Sequence, residues 1–294
     1  MHNDLNHPAR PTDYRLLART LTKVENELPG SDEILKSLKR SEVPVIGITG
    51  PPGAGKSTLV NALINELSGD GKRIAVLAVD PTSPFNFGSL LGDRIRMSEQ
   101  FNKENVFIRS IATRGSLGGL SAKSIEMVDV LKSAGFDYIL VETVGVGQSE
   151  VEIAGLADVT LVVLVPESGD EIQQIKSGLM EIADIFVVNK ADREGADRFA
   201  NNLQKLVKDH HIPVVKTVAD KKEGIDKLVS MISHHHKNEN KRSELLLADK
   251  AWKLLQDGIM KRVDRTAFQN KIAFESQKSG FNLYRFIEAE LKNF

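Results

Sequence analysis

The sequence predicts an α/β fold: a mainly parallel central sheet flanked by helices, with helical extensions at both ends of the chain. Three observations carry that reading. Short apolar runs recur through the middle of the 294 residues, they are nearly continuous in Val and Ile, and amphipathic segments separate many of them. A continuous apolar run describes a strand covered on both faces, because a half-exposed strand would alternate. Strand and helix repeating in turn imply a parallel sheet with helices on both sides and functional loops at the carboxyl ends of the strands.

Residues 13–40 read as two helices broken at Pro29-Gly30. The apolar runs follow: VPVIGITG (43–50), RIAVLAVD (73–80), VFIRSIA (106–112), DYILVET (137–143), DVTLVVLVP (158–166), DIFVVNK (184–190) and IPVVKTVA (212–219). Helical patterns stand between them, as in SAKSIEMVDVLKSAG (121–135) and DEIQQIKSGLMEIA (170–183). After residue 237 the strand signal stops. SELLLADKAWKLLQDGIMKRV (243–263) carries apolar residues at helical spacing, and its stripe must pack on the core or on another subunit. The expected division is a helical extension over 1–42, an α/β domain over 43–237 and a helical region over 238–294.

Bulk properties remove several function classes. Lys and Arg number 39 against 40 Asp and Glu, so no general electrostatic case for nucleic acid arises. Cysteine is absent, which excludes disulfides, cysteine-ligated zinc and thiol nucleophiles. The first residues lack a basic stretch followed by an apolar one, and VTLVVLVP (159–166) is far short of a membrane span. The expectation is a soluble, cytoplasmic protein with neither a membrane nor a nucleic-acid partner.

The strongest chemical signal is GPPGAGKST (50–58), a G-x-x-x-x-G-K-[ST] pattern that follows a strand and opens a helix. Gly50, Pro51, Pro52, Gly53, Ala54, Gly55, Lys56, Ser57 and Thr58 then form a P-loop whose backbone N–H groups wrap phosphates at a helix N-terminus. Lys56 is placed to reach the β- and γ-phosphates, and Ser57 to ligate Mg²⁺. A plain glycine turn before a helix is the alternative, and the complete match in its required context disfavours it.

NKAD (189–192) ends a later strand. An Asp192 carboxylate there accepts from the guanine ring N–H and exocyclic amine, a donor pair that adenine lacks. The stem of Lys190 can cover the base, and Asn189 can tie this loop to the P-loop. An ordinary strand-end turn is the competing reading. In the next run, Thr217, Val218 and Ala219 offer backbone N–H groups to guanine O6.

Mg²⁺ favours octahedral oxygen coordination. Besides Ser57, the acids placed for it are Asp80 at the end of RIAVLAVD, Asp93 in the following loop, and Glu142 at the end of DYILVE. Each could instead be a surface or capping acid. In VETVGVGQSE (141–150), Glu142 stands where Asp is usual, and it is one methylene longer, which suits contact with the metal through a water. Val146 occupies the position where many small GTPases carry a water-positioning Gln.

These blocks, together with VLAVDPTSPFNFGSLLGDRIRM (76–97), ATRGSLGGL (112–120) and PESGDEIQQIKSGLMEIAD (166–184), resemble the methylmalonyl-CoA mutase-associated GTPases of the MeaB/ArgK type. The resemblance runs from the N-terminal helices through the C-terminal helical region. It implies a P-loop GTPase binding GTP or GDP with Mg²⁺ and acting as chaperone to an adenosylcobalamin-dependent acyl-CoA mutase. Hydrolysis would be coupled to cofactor loading and to protection of the mutase, and the chain would form a homodimer through its C-terminal helices. It also implies mobile elements over 80–97, after Glu142, and over 167–176. The older transport-kinase label attached to such proteins finds no transport-related segment here. Ser116 in place of a bulkier polar residue and TVA in place of a Ser-Ala signature depart from the pattern.

For catalysis, Lys56 and the metal held near Glu142 neutralise phosphate charge, while no residue is assigned to hold the attacking water. Gln148 lies three positions past Gly145, and Arg94, Arg114 and Lys176 are cations that reordering switches could bring in. Slow intrinsic hydrolysis, accelerated by a partner, is expected. A metal-carrying chaperone GTPase is a rival, opposed by the lack of Cys and of a His-rich N-terminus; His234, His235 and His236 read as a polar helix end. A binding module in which nucleotide only selects conformation is the non-enzymatic rival, and single-turnover hydrolysis with and without partner separates it.

Overall fold

The computed structural model describes residues 13–80, 98–112, 122–143, 153–167, 179–238 and 240–292. All seven apolar runs become strands: β1 (Val45–Thr49), β2 (Ile74–Asp80), β3 (Val106–Ala112), β4 (Tyr138–Thr143), β5 (Val159–Leu164), β6 (Ile185–Val188) and β7 (Val214–Lys216). They form one sheet in the order β3-β2-β4-β1-β5-β6-β7, and every neighbouring pair is parallel. β1, β5 and β6 are buried along their whole length, as continuous Val/Ile runs require.

Alternation along the strands feeds two apolar layers. Leu161 and Val163 of β5 join Ile46, Ile48, Ile185 and Val187 under α3 (Lys56–Gly69) and α6 (Ile225–Asn238). Val162 and Leu164 join Phe186 and Val188 against α5 (Ala196–Leu206), which contributes Phe199 and Leu203. Helix α3 supplies Leu59, Leu63, Ile64 and Leu67 to the first layer, each nearly or fully buried. Burial of side chains this size stabilises by roughly 1.5–3 kcal/mol apiece before the entropy cost.

The expected pair of N-terminal helices is present as α1 (Tyr14–Glu25) and α2 (Ser31–Ser37), separated by Gly30 at φ 85°. Asp13 caps α1, its carboxylate accepting from the N–H groups of Arg15 and Leu16. α1 packs on α4 (Ala122–Lys132), and Arg109 on the edge strand β3 pairs with Glu25 at 2.6 Å. Tyr14, Phe107 and Phe136 form a ring cluster at the same contact. Of the helical pattern at 170–183, only the final turn, Met180–Ile182, lies within the described residues.

Beyond α6 run α7 (Asn240–Met260), α8 (Arg265–Glu275) and α9 (Leu283–Leu291). The chain divides into two compact units, Met1–Lys250 and Ala251–Phe294, and the division falls inside α7. Within the second unit, Asp264 caps α8 and Asn282 caps α9. Phe286 meets Phe268 and Phe281 there in tilted ring contacts.

Candidate functional site

β1 lies between β4 and β5, where the strand order reverses, and loops at that carboxyl edge open the crevice that parallel sheets use for ligands. The loop from Gly50 to Gly55 leaves β1 there and enters α3 at Lys56. Two of its glycines are demanded by geometry. A Cβ on Gly50, at φ 136°, would fall 2.1 Å from the carbonyl oxygen of Val163, and one on Gly55, at φ 85°, would fall 2.5 Å from Asn189 Nδ2.

The second clash shows how the two nucleotide motifs are joined. Asn189 is 2% exposed, and its Nδ2 donates to Ala54 O at 2.9 Å. Its Oδ1 accepts from Thr217 Oγ1 and from the Ala219 N–H, both at 3.2 Å. One side chain therefore ties the P-loop to the end of β6 and to the loop after β7. Lys190, in a left-handed conformation at φ 54°, adds a bond from Nζ to Gly53 O at 2.7 Å.

Lys56 is buried against its own loop, donating from Nζ to Gly50 O at 2.7 Å and Pro51 O at 2.9 Å. Ser57 Oγ donates to Glu142 Oε1 at 2.7 Å, and Glu142 is 4% exposed at the end of β4. A hydroxyl and a carboxylate in that contact, at the start of a P-loop helix, are hard oxygen donors of the kind Mg²⁺ takes alongside phosphate oxygens and waters. Asp80 closes β2 opposite Ala112 of β3, with β4 on its other side. Its side chain, and the whole of Asp93, lie outside the described residues, as do Arg94, Arg114, Ser116, Val146, Gln148 and Lys176. Among the described residues no three His, Cys, Asp or Glu side chains converge on a metal position. His234 is exposed and His235 sits 3.9 Å from Asp184 near the end of α6.

At the base end, Asp192 is exposed and accepts from Lys221 Nζ at 2.9 Å. That hydrogen bond holds the Asp192 carboxyl below the usual carboxylate range and pushes the Lys221 ammonium up. Arg193 pairs with Glu167, which follows β5, and their hydrogen bond lowers the Glu167 carboxyl. The amides expected to meet guanine O6 are engaged within the protein: Thr217 N–H with Val188 O, Val218 N–H with Glu223 O, and Ala219 N–H with Asn189. Sequence reasoning did not single out Lys221 or Arg193, because ion pairs across distant loops leave no local pattern.

Comparison with known proteins agrees with this architecture. The family model for the methylmalonyl Co-A mutase-associated GTPase MeaB matches residues 17–270. A candidate GTPase of Pyrococcus abyssi is 49% identical over 246 residues, covering 80% of this chain and 76% of its own. GTPase ArgK of Escherichia coli is 41% identical over 189 residues, 62% of this chain and 57% of its own. The solved structure of a LAO/AO transport system kinase superposes with a TM-score of 0.69 at 25% identity, covering 97% of this chain and 95% of that one. With a family match across most of its length, a P-loop bonded to its NKAD loop and a seven-stranded parallel sheet beneath both, the chain belongs to the methylmalonyl Co-A mutase-associated GTPases of the MeaB family.

Proposed function

We propose that this chain binds GTP with Mg²⁺ between the P-loop and the NKAD loop, hydrolyses it slowly, and serves an adenosylcobalamin-dependent acyl-CoA mutase of the methylmalonyl-CoA type. The observation that carries the reading is the shared Asn189, which holds phosphate-binding and base-reading loops in one register. On this reading the P-loop amides and Lys56 take the phosphates, with Lys56 exchanging its loop carbonyls for phosphate oxygens. Ser57 and Glu142 hold the metal region, and Asp80 and Asp93 are the further carboxylates assigned to it. A bound Mg²⁺ would supply charge neutralisation at the β- and γ-phosphates. Asp192 accepts from the guanine N–H and amine, the Lys190 stem covers the ring, and the Thr217, Val218 and Ala219 amides assigned to O6 would exchange a present partner for it.

The client role rests on the family. Hydrolysis would drive cofactor loading and protection of the mutase, which orders the switch segments and accelerates turnover. The second unit would join two chains in a homodimer: Trp252, Leu255 and Ile259 stand at helical spacing on α7 and remain exposed, as do Leu283, Ile287 and Leu291 on α9. The proposed compartment is the cytoplasm; among the described residues no helix is long and apolar enough to cross a membrane.

The test is turnover at saturating GTP with and without the mutase. Acceleration by the mutase is expected, and equal rates defeat the coupling. Asp192→Asn should weaken the preference for GTP over ATP, and a preserved preference would remove the base assignment.

A further inference from the structure

The carboxylate assigned to the base already carries a cation. Lys221 ends the helical turn Ala219–Lys221 after β7, and its Nζ lies 2.9 Å from Asp192 Oδ2. The neighbouring cations are committed elsewhere: Lys190 bonds Gly53 O, and Arg193 pairs with Glu167. Both members of the Lys221–Asp192 pair are accessible, with 54% and 41% of their side chains exposed, so an incoming base can reach the carboxylate and Lys221 can swing away.

Guanine and hypoxanthine meet this arrangement differently. Guanine brings two donors, the ring N1–H and the 2-amino group, and uses both carboxylate oxygens. Hypoxanthine brings only N1–H and needs one. With an ammonium on Oδ2, hypoxanthine finds the second oxygen available to it, whereas guanine must share or displace Lys221. Resting on the guanine reading above, we propose that Lys221 is a specificity-determining residue that competes with the guanine 2-amino group for Asp192 Oδ2. It thereby narrows the preference for guanosine over inosine nucleotides and slows guanine entry.

The ion pair is solvent-exposed, which bounds the effect: pairs of this kind are worth a few-fold in an equilibrium constant and are screened by salt. Lys221→Met keeps an unbranched apolar stem and removes the ammonium. Titration calorimetry of the full chain with GDP, IDP and ADP, at low and high salt, reads the proposal directly. Lys221→Met is expected to tighten GDP by roughly two- to fivefold and to move IDP by less, so that the GDP/IDP ratio widens. Lys221→Arg, which keeps a cation on the carboxylate, is expected to behave as the parent chain. Salt should bring the parent toward the Met variant. Selective GDP binding with an unchanged or narrowed GDP/IDP ratio in Lys221→Met overturns the competition and leaves the base assignment standing. A parent chain that binds ADP as well as GDP overturns the base assignment, and the role of Lys221 with it.

Discussion

Asn189 shows how much one buried amide can organise. Replacing it with Ala removes a partner from Ala54 O, Thr217 Oγ1 and the Ala219 N–H together. A buried polar group left unsatisfied costs about 1–3 kcal/mol. Asn189→Ala should therefore lower stability by that order in chemical denaturation; the same cost carried into the nucleotide site would weaken GDP by roughly five- to 150-fold, since every 1.4 kcal/mol is a factor of ten. Asp192 gives a pH prediction. Its carboxyl lies below the usual range because Lys221 donates to it, so its contribution as an ionised acceptor is present above the ordinary carboxylate pKa and is lost only as pH falls through the depressed one. The acid limb of the GDP/ADP preference, a ratio from which protonation of the diphosphate cancels, should lie below the ordinary carboxylate range in the parent and move up in Lys221→Met; an acid limb at the same pH in both would show that Lys221 does not govern it. Residues of this kind divided sharply in their legibility. Lys56, Ser57 and Asn189 stand in local patterns whose chemistry calls for them, and Glu142 is a carboxylate where the pattern usually carries Asp. Lys221 belongs to an ordinary basic run, and its partner lies 29 positions away.

Elements were legible wherever burial on two faces left its mark. β1, β5 and β6 are covered throughout and coincide with unbroken apolar runs. β7 was read too long: IPVVKTVA continues to residue 219, but the strand ends at Lys216. There the chain turns so that Thr217 and Ala219 can reach Asn189, and that tertiary demand outweighs the β propensity of the Val-rich run. Loops are linked as well as strands. Arg193, next to Asp192, pairs with Glu167 after β5, joining the base loop to the start of a segment expected to switch. Both side chains are about half exposed, which limits the pair to a small effect. A double-mutant cycle with Arg193→Gln and Glu167→Gln should give a coupling of at most about 1 kcal/mol in unfolding free energy. A larger value would mean the pair helps hold the fold rather than linking two loops.

For the whole molecule, the parallel sheet with its flanking helices was legible in the sequence, while the division inside α7 has no sequence signal. The strand signal stops near residue 237, yet the compact unit extends to Lys250, part-way along α7. Helical periodicity shows that a stripe is apolar without showing what covers it. In the second unit the apolar side chains of Trp252, Leu255 and Ile259 remain exposed. Light scattering should return a dimer for the parent chain. Trp252→Glu with Leu255→Glu should yield a monomer that still binds GDP, because neither residue belongs to the nucleotide site. A double variant that stays dimeric would place the interface elsewhere.

The contrast between Asn189 and Asp192 has a practical consequence. The first is buried and shared among three loops, whereas the second is exposed and held by one lysine. On the proposed base assignment, letter-recognition and phosphate grip are mechanically separable. Asp192→Asn would present an amide donor to a purine bearing a carbonyl at C2, which makes xanthosine triphosphate a candidate private fuel. Such a variant could be switched on by itself in an extract full of other GTP-consuming proteins.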